Sequence, residues 1–118
     1  DYAYSNLRLA APILARGESA RVLVDVQNVG QRPGVEIVQV YVRDVITSVT
    51  WVDKALKGFA RVSLAPGEKA TVQVDLPWEA FEIVNAQGVN VVESGEFEVL
   101  VGPSSRERDL LKATLHIE

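Results

Sequence analysis

The stretch Arg21-Val22-Leu23-Val24-Asp25-Val26-Gln27 decides the fold class, because apolar and polar residues alternate along it with a period of two, except at Leu23. Val22, Val24 and Val26 are predicted to share one buried face of a strand, with Arg21, Asp25 and Gln27 on the other. Outward from it, Val35 to Val42 is apolar on both faces, as expected of a central strand covered on both sides. No run of ten or more residues shows a helical stripe. The chain is therefore predicted to be all-β.

Glycines and prolines separate further alternating stretches, and they supply the backbone angles that strand reversals need. Short strands separated by such turn residues predict an antiparallel β-sandwich. The further predicted strands are Tyr4 to Leu9, Gly58 to Leu64, Ala70 to Leu76, Phe81 to Val84, Val89 to Glu93, Phe97 to Val101 and Leu111 to Ile117.

One internal repeat stands out. Leu14-Ala15-Arg16-Gly17-Glu18-Ser19-Ala20-Arg21-Val22-Leu23-Val24-Asp25 matches Leu64-Ala65-Pro66-Gly67-Glu68-Lys69-Ala70-Thr71-Val72-Gln73-Val74-Asp75. In each copy a glycine-containing turn leads into an alternating strand, so we predict two strands with equivalent roles rather than a duplicated active site.

The segment from Asp44 to Lys57 is the longest without clear alternation. We predict a long crossing loop there. Loops of this length in compact domains are usually functional or packed on a partner, and Trp51 with Val49 and Val52 makes a bare solvated loop an unfavourable state. Something is expected to cover it.

Composition and charge exclude several function classes. The chain has 118 residues, a net charge of −4 and no cysteine, so neither a nucleic-acid or anionic-lipid surface nor a disulfide framework is expected. No apolar run approaches the roughly 20 residues of a membrane helix. Methionine is absent even at position 1, which suggests that residues 1–118 form one domain excised from a larger protein.

No constellation in the sequence amounts to a catalytic, metal or cofactor site. Sixteen acidic residues could supply a glycosidase pair, but Glu96 and Glu98 share one strand face, and the others are expected on solvated surface. His116, the only histidine, is predicted to point outward between two inward neighbours, and it cannot make a zinc site alone. The glycines form no phosphate-binding loop.

Several motifs in order carry a family resemblance that runs through the whole chain. The chain resembles the fibronectin type III-like C-terminal domain of family 3 glycoside hydrolases, the β-glucosidases and β-xylosidases. The motifs are Tyr4-Ser5-Asn6-Leu7, Val26-Gln27-Asn28-Val29-Gly30 with Gly34, Glu36-Ile37-Val38-Gln39-Val40-Tyr41-Val42-Arg43-Asp44, Leu56-Lys57-Gly58-Phe59-Ala60-Arg61-Val62, Leu64-Ala65-Pro66-Gly67-Glu68 and Gly95-Glu96-Phe97-Glu98-Val99-Leu100-Val101-Gly102-Pro103-Ser104-Ser105.

The resemblance implies an immunoglobulin-like (fibronectin type III-like) β-sandwich that acts as a non-catalytic accessory domain in carbohydrate metabolism. Its implied partners are a catalytic (β/α)8 barrel and an α/β sandwich of the parent chain, which hold the catalytic carboxylates, and a homodimer is allowed. Its implied contribution is stability and interdomain or dimer contacts. No catalytic residue, metal or cofactor is carried over, and no nucleic-acid or membrane partner is implied.

The family often has proline and a charged residue just before its Leu-Lys-Gly-Phe stretch, where this chain has Trp51-Val52-Asp53-Lys54-Ala55. Trp51, Asp53 and Lys57 are therefore candidates for an interdomain contact, or for a sugar subsite if the loop reaches a catalytic pocket. On the same resemblance Gly58 allows close backbone approach, and Phe59 is expected to enter the core.

Two alternatives remain. One is a freestanding carbohydrate-binding or adhesion module, for which Trp51, Trp78 and Tyr41 are the stacking candidates, since this fold hosts many functions. The other is a plain interaction module in a cell-surface array. A periplasmic or secreted location is slightly favoured over the cytoplasm.

Overall fold

A computed structural model describes residues 1–44, 54–84 and 86–118 of the chain. These residues form strands and two short 3₁₀ helices, Trp78–Phe81 and Glu107–Asp109. The strands are β1 (Tyr2–Leu9), β2 (Ile13–Leu14), β3 (Ala20–Asn28), β4 (Gly34–Asp44), β5 (Ala55–Leu64), β6 (Lys69–Leu76), β7 (Ile83–Val84), β8 (Asn90–Val91), β9 (Gly95–Gly102) and β10 (Leu111–Ile117).

Two sheets form the predicted β-sandwich. One has three strands in the order β1-β3-β6, and the other has five in the order β2-β10-β9-β4-β5. All their neighbours are antiparallel except β2 and β10. The strands β7 and β8 pair separately as a small hairpin. The all-β prediction is confirmed, and β4 lies inside its sheet as expected.

The core fills the space between the two sheets. Val22, Val24 and Val26 of β3 are at most 1% exposed, which confirms the buried face predicted from the opening stretch. Burial of such aliphatic side chains supplies the main driving force for folding. The ring of Phe81 lies edge-on to that of Phe97 at 5.4 Å between centroids, and the pair closes one end of the core.

The internal repeat has a structural counterpart. Strands β3 and β6 pair directly, so the two copies lie side by side. Gly17 and Gly67 adopt φ angles of 85° and 80°, which favour glycine. In both turns the glutamate carboxylate accepts a hydrogen bond from the alanine three residues earlier, at 3.0 Å for Ala15 and 2.8 Å for Ala65. The repeated turn-plus-strand pattern is confirmed, but the roles are not fully equivalent, since β3 is the central strand of its sheet and β6 is an edge strand.

Several local predictions were wrong. Phe81 ends a 3₁₀ helix that follows Pro77 rather than opening a strand, and of Val89 to Glu93 only Asn90–Val91 is strand. Val35 and Ile37 are exposed rather than covered, because β9 pairs with β4 only from Gln39 onward. Strand β2 and the 3₁₀ helix Glu107–Asp109 were not predicted.

The predicted crossing loop also needs correction. Asp44 ends β4 and Ala55 begins β5, and these two strands are antiparallel neighbours in one sheet. Val42 pairs with Ala55, so the segment joins adjacent strands instead of crossing between sheets. Residues 45–53 lie outside the described part of the chain.

Candidate contact surface on strand β5

Strand β5 positions the one predicted site residue that the structure describes. Val40 pairs with Gly58 and Tyr41 with Leu56, so Lys57 is the extra residue of a β-bulge, and it is exposed. Bulges re-aim side chains at sheet edges. Trp51 and Asp53, the other two candidates, lie outside the described residues, and their relation to Lys57 stays a prediction.

Gly58 and Phe59 differ in outcome. A Cβ atom on Gly58 would lie 2.9 Å from both Leu76 Cδ2 and Val74 Cγ1, so glycine does permit close approach, here by side chains of β6. Phe59, expected in the core, is instead 68% exposed. The reason is the phase of the strand, since Gly58 and Val62 face the opposite sheet and Phe59 therefore points away from it.

Phe59 belongs to an exposed apolar patch on the outer face of the five-stranded sheet. We define the β5 patch as Val35, Ile37, Leu56 and Phe59, which are 47%, 40%, 52% and 68% exposed. Phe59 pairs with Gln39 and Arg61 pairs with Ile37, so the phenyl ring and Ile37 are diagonal neighbours on one face. The sequence analysis did not predict this patch. Arg61 lies two residues after Phe59 on the same side of the strand, and its charge was a signal that this side faces solvent.

An open groove of about 470 Å³ runs beside the patch. It lies between β5 and β6, which are the edge strands of their respective sheets. Its lining combines apolar and polar side chains from both strands: Leu56, Lys57, Gly58, Phe59, Gln73, Val74 and Asp75.

The other aromatic candidates do not form an exposed stacking plane. Tyr41 is only 8% exposed and packs with Leu100 and Leu110 in a small cluster outside the main core. Trp78 is half-buried against the core, with the guanidinium of Arg16 at 5.7 Å from its ring centre. These contacts indicate packing roles for both residues.

One carboxylate is enclosed within the three-stranded sheet. Asp25 accepts hydrogen bonds from Thr71 Oγ1 at 2.8 Å, Asn6 Nδ2 at 3.1 Å and Arg8 at 3.3 Å. Asn6 has a φ of 55° at an irregularity of β1, a conformation that asparagine tolerates better than most residues. These donors, Thr71 first, lower the pKa of Asp25. Its partners give it a structural role.

A second polar cluster lies on the outer face of the five-stranded sheet. Arg43 donates from Nε to Glu98 Oε1 at 3.0 Å and reaches Glu107 Oε1 at 2.6 Å. Lys112 Nζ lies 3.4 Å from Glu107 Oε2. The hydrogen bond from Arg43 lowers the pKa of Glu107. The cluster fastens the 3₁₀ helix Glu107–Asp109 over the sheet.

His116 occupies the place that the sequence predicted for it. Its side chain is exposed, while Leu115 and Ile117 on either side are fully buried. Across the described ranges, no group of three or more histidine and acidic side chains is placed to hold a metal ion. Nor does the described backbone include a helix long and apolar enough to cross a membrane.

Comparison with known proteins finds relatives that are much longer than this chain. It is 44% identical over 107 residues to thermostable β-glucosidase B of Acetivibrio thermocellus, covering 90% of this chain and 14% of that protein. It is 35% identical over 104 residues to a periplasmic β-glucosidase of Salmonella typhimurium, covering 88% of this chain and 14% of that protein. The chain thus spans about one seventh of the length of these relatives.

The fold and the sequence agree on the family. A solved β-glucosidase of intestinal bacteria, involved in saponin metabolism, superposes on the whole chain with a TM-score of 0.91 and 37% identity, over 16% of its own length. The family model for the fibronectin type III-like domain matches residues 36–105. The chain therefore belongs to the fibronectin type III-like domain family, in the form carried by β-glucosidases.

Proposed function

We propose that residues 1–118 are one accessory domain of a family 3 glycoside hydrolase that cleaves terminal β-linked glucose or xylose from oligosaccharides. The observation that carries this proposal is the difference between the share of this chain and the share of each relative that the alignments cover. The relatives match 88% to 90% of this chain, while the chain matches 14% of each of them. A domain that makes up one seventh of an enzyme is expected to leave the catalytic residues to the other domains.

The proposed contribution of the domain is stability and contact with the other domains of its parent. The enclosed Asp25 and the Arg43 cluster are explained by contacts between residues of this same domain. The exposed β5 patch has no such internal explanation. A role in packing is therefore better supported than a role in binding or chemistry, and a dimer would use the same kind of surface.

A periplasmic or secreted parent is part of the proposal. One relative is a periplasmic β-glucosidase, and oligosaccharide substrates would reach an exported enzyme directly. The chain itself contains no cysteine, so its folding does not depend on the redox state of the compartment.

The test compares the 118-residue chain with the protein made from its complete reading frame. Both are assayed against aryl β-glucosides and aryl β-xylosides. We expect hydrolysis by the complete protein and none by the 118-residue chain. Hydrolysis by the chain alone, or a complete protein that cleaves neither substrate, would contradict the proposal.

A further inference from the structure

We propose that the β5 patch, formed by Val35, Ile37, Leu56 and Phe59, is the surface on which this module packs against another domain of its own polypeptide. This inference rests on the proposed function, and it deepens it by naming the face and the chemistry of the partner.

The first argument is that β5 is a long sheet edge. It has ten residues, and it pairs on one side with β4, while none of the described strands pairs with its other side. Unpaired edges with exposed apolar side chains are templates for aggregation, and proteins cover them or break them up. The bulge at Lys57 interrupts β5 at one place only, and Phe59 lies exposed just beyond it.

The second argument is the composition of the surface. Two cations, Lys57 and Arg61, flank the phenyl ring on the same strand, and both are exposed. Neither takes part in an ion pair among residues 1–44, 54–84 and 86–118. An apolar centre with a charged rim is the usual anatomy of a protein interface. The complementary surface is therefore apolar in the middle and carries carboxylates at its margin.

The adjacent groove argues against a sugar as the occupant. Two of its three polar lining side chains are already engaged, because Gln73 Nε2 donates to Asp75 at 3.3 Å and Arg21 Nε lies 3.2 Å from the same carboxylate. Sugar sites need polar groups free to meet hydroxyls as well as an aromatic platform. Apart from the Lys57 ammonium, the groove offers a ligand mainly the exposed apolar side chains of Leu56 and Phe59.

The occupant is a neighbouring domain rather than a second copy of the chain. Relatives are about seven times longer than this module, so most of their surface lies on the same polypeptide. A tethered partner is present at millimolar effective concentration. A second copy would have to associate from solution at its actual concentration, without that advantage.

Cysteine labelling in the complete protein tests the proposal. The 118 residues contain no cysteine, so Phe59→Cys and Ile37→Cys introduce single thiols into the patch. Val29→Cys and Val89→Cys are matched controls, because both valines are 54% exposed and neither belongs to the patch. Maleimide labelling of each site is followed by mass spectrometry in native and in urea-unfolded protein, and the native rate is divided by the unfolded rate.

We expect the two patch sites to label at least about tenfold more slowly, relative to their unfolded rates, than the two controls. Ile37→Cys keeps the phenyl ring in place, so it still reports on the patch if Phe59→Cys prevents docking by removing that ring. Equal labelling at all four sites in a protein that hydrolyses aryl β-glucosides would overturn the patch assignment and leave the proposed function intact.

The remaining outcomes separate the two claims. Protection in a complete protein without hydrolysis would support the patch and contradict the glycosidase. Protection that disappears on dilution would identify a second copy as the occupant, and protection at all four sites would show that no particular face docks. Either of these last two results would overturn the inference.

Discussion

At the scale of single residues, Asn28 links three separate pieces of backbone. Its side chain is 1% exposed and donates from Nδ2 to Arg32 O at 2.8 Å and to Leu64 O at 3.0 Å, while its Oδ1 accepts from Gly30 N at 2.9 Å. Every polar atom of the amide group has a partner. A buried group in this situation is costly to change.

Asn28→Asp is expected to destabilise the domain by about 4 kcal/mol, because a carboxylate cannot donate and would face two carbonyl oxygens. Asn28→Ala, which removes the group without adding charge, should cost about 2 kcal/mol. Urea unfolding of both variants at neutral pH measures the difference. An aspartate variant at least as stable as the alanine variant would refute this account of the site.

Asp25 makes the stability of the domain depend on pH. Its hydrogen bonds hold the pKa of the folded carboxyl below the value of about 3.9 expected for the unfolded chain. The stabilisation is therefore present above pH about 4 and is lost as the pH falls through the folded-state pKa. Wild type should lose stability between pH 5 and 2 more steeply than Asp25→Asn in urea titrations. Parallel losses would contradict the assignment.

At the scale of elements, the repeated turn makes a symmetrical prediction. Glu18 and Glu68 each accept a hydrogen bond from a backbone N–H of their own turn. Glu18→Ala and Glu68→Ala should therefore each cost about 1 kcal/mol. Glu→Gln at either position keeps the accepting oxygen and should cost less. Urea unfolding checks this, and a large effect at one turn with none at the other would break the equivalence.

The exposed side chains of strand β5 lead to a prediction about self-association of the isolated domain. With Phe59 and Leu56 exposed on an unpaired edge, the 118-residue chain is expected to self-associate at high concentration. Phe59→Lys should lower the associated fraction several-fold in sedimentation equilibrium, because a charge on the edge opposes pairing. Val29→Lys is the control. Equal association of wild type and Phe59→Lys would exclude β5 as the surface through which the domain self-associates.

The strands also show which parts of the structure could be predicted from the sequence. Alternation placed the buried face of β3, and the repeat placed its partner β6, because a period of two and a glycine turn are local signals. Phe59 was misplaced because that expectation came from the family resemblance and did not take the alternation of side chains along β5 into account. Strand β2 has two residues and depends on pairing with β10, so nothing local could reveal it.

At the scale of the whole molecule, the sandwich is a scaffold that presents the β5 patch on the outer face of its five-stranded sheet. Residues 36–105 match the family model, and this range includes β5, most of β4 and three of the four patch residues. The sequence could suggest that a partner exists, through the apolar segment around Trp51. It could not show that Val35, Ile37, Leu56 and Phe59 share a face, since that depends on the register of two strands and on a bulge.

The most direct measurement of the central claim introduces Asn28→Ala into the complete protein and compares kcat at 25 °C with the rate of thermal inactivation. Because the domain is proposed to supply stability rather than chemistry, kcat on an aryl β-glucoside should stay within about twofold of wild type while inactivation becomes faster. A fall in kcat of about tenfold or more with unchanged inactivation would contradict the claim and place this domain in the catalytic machinery.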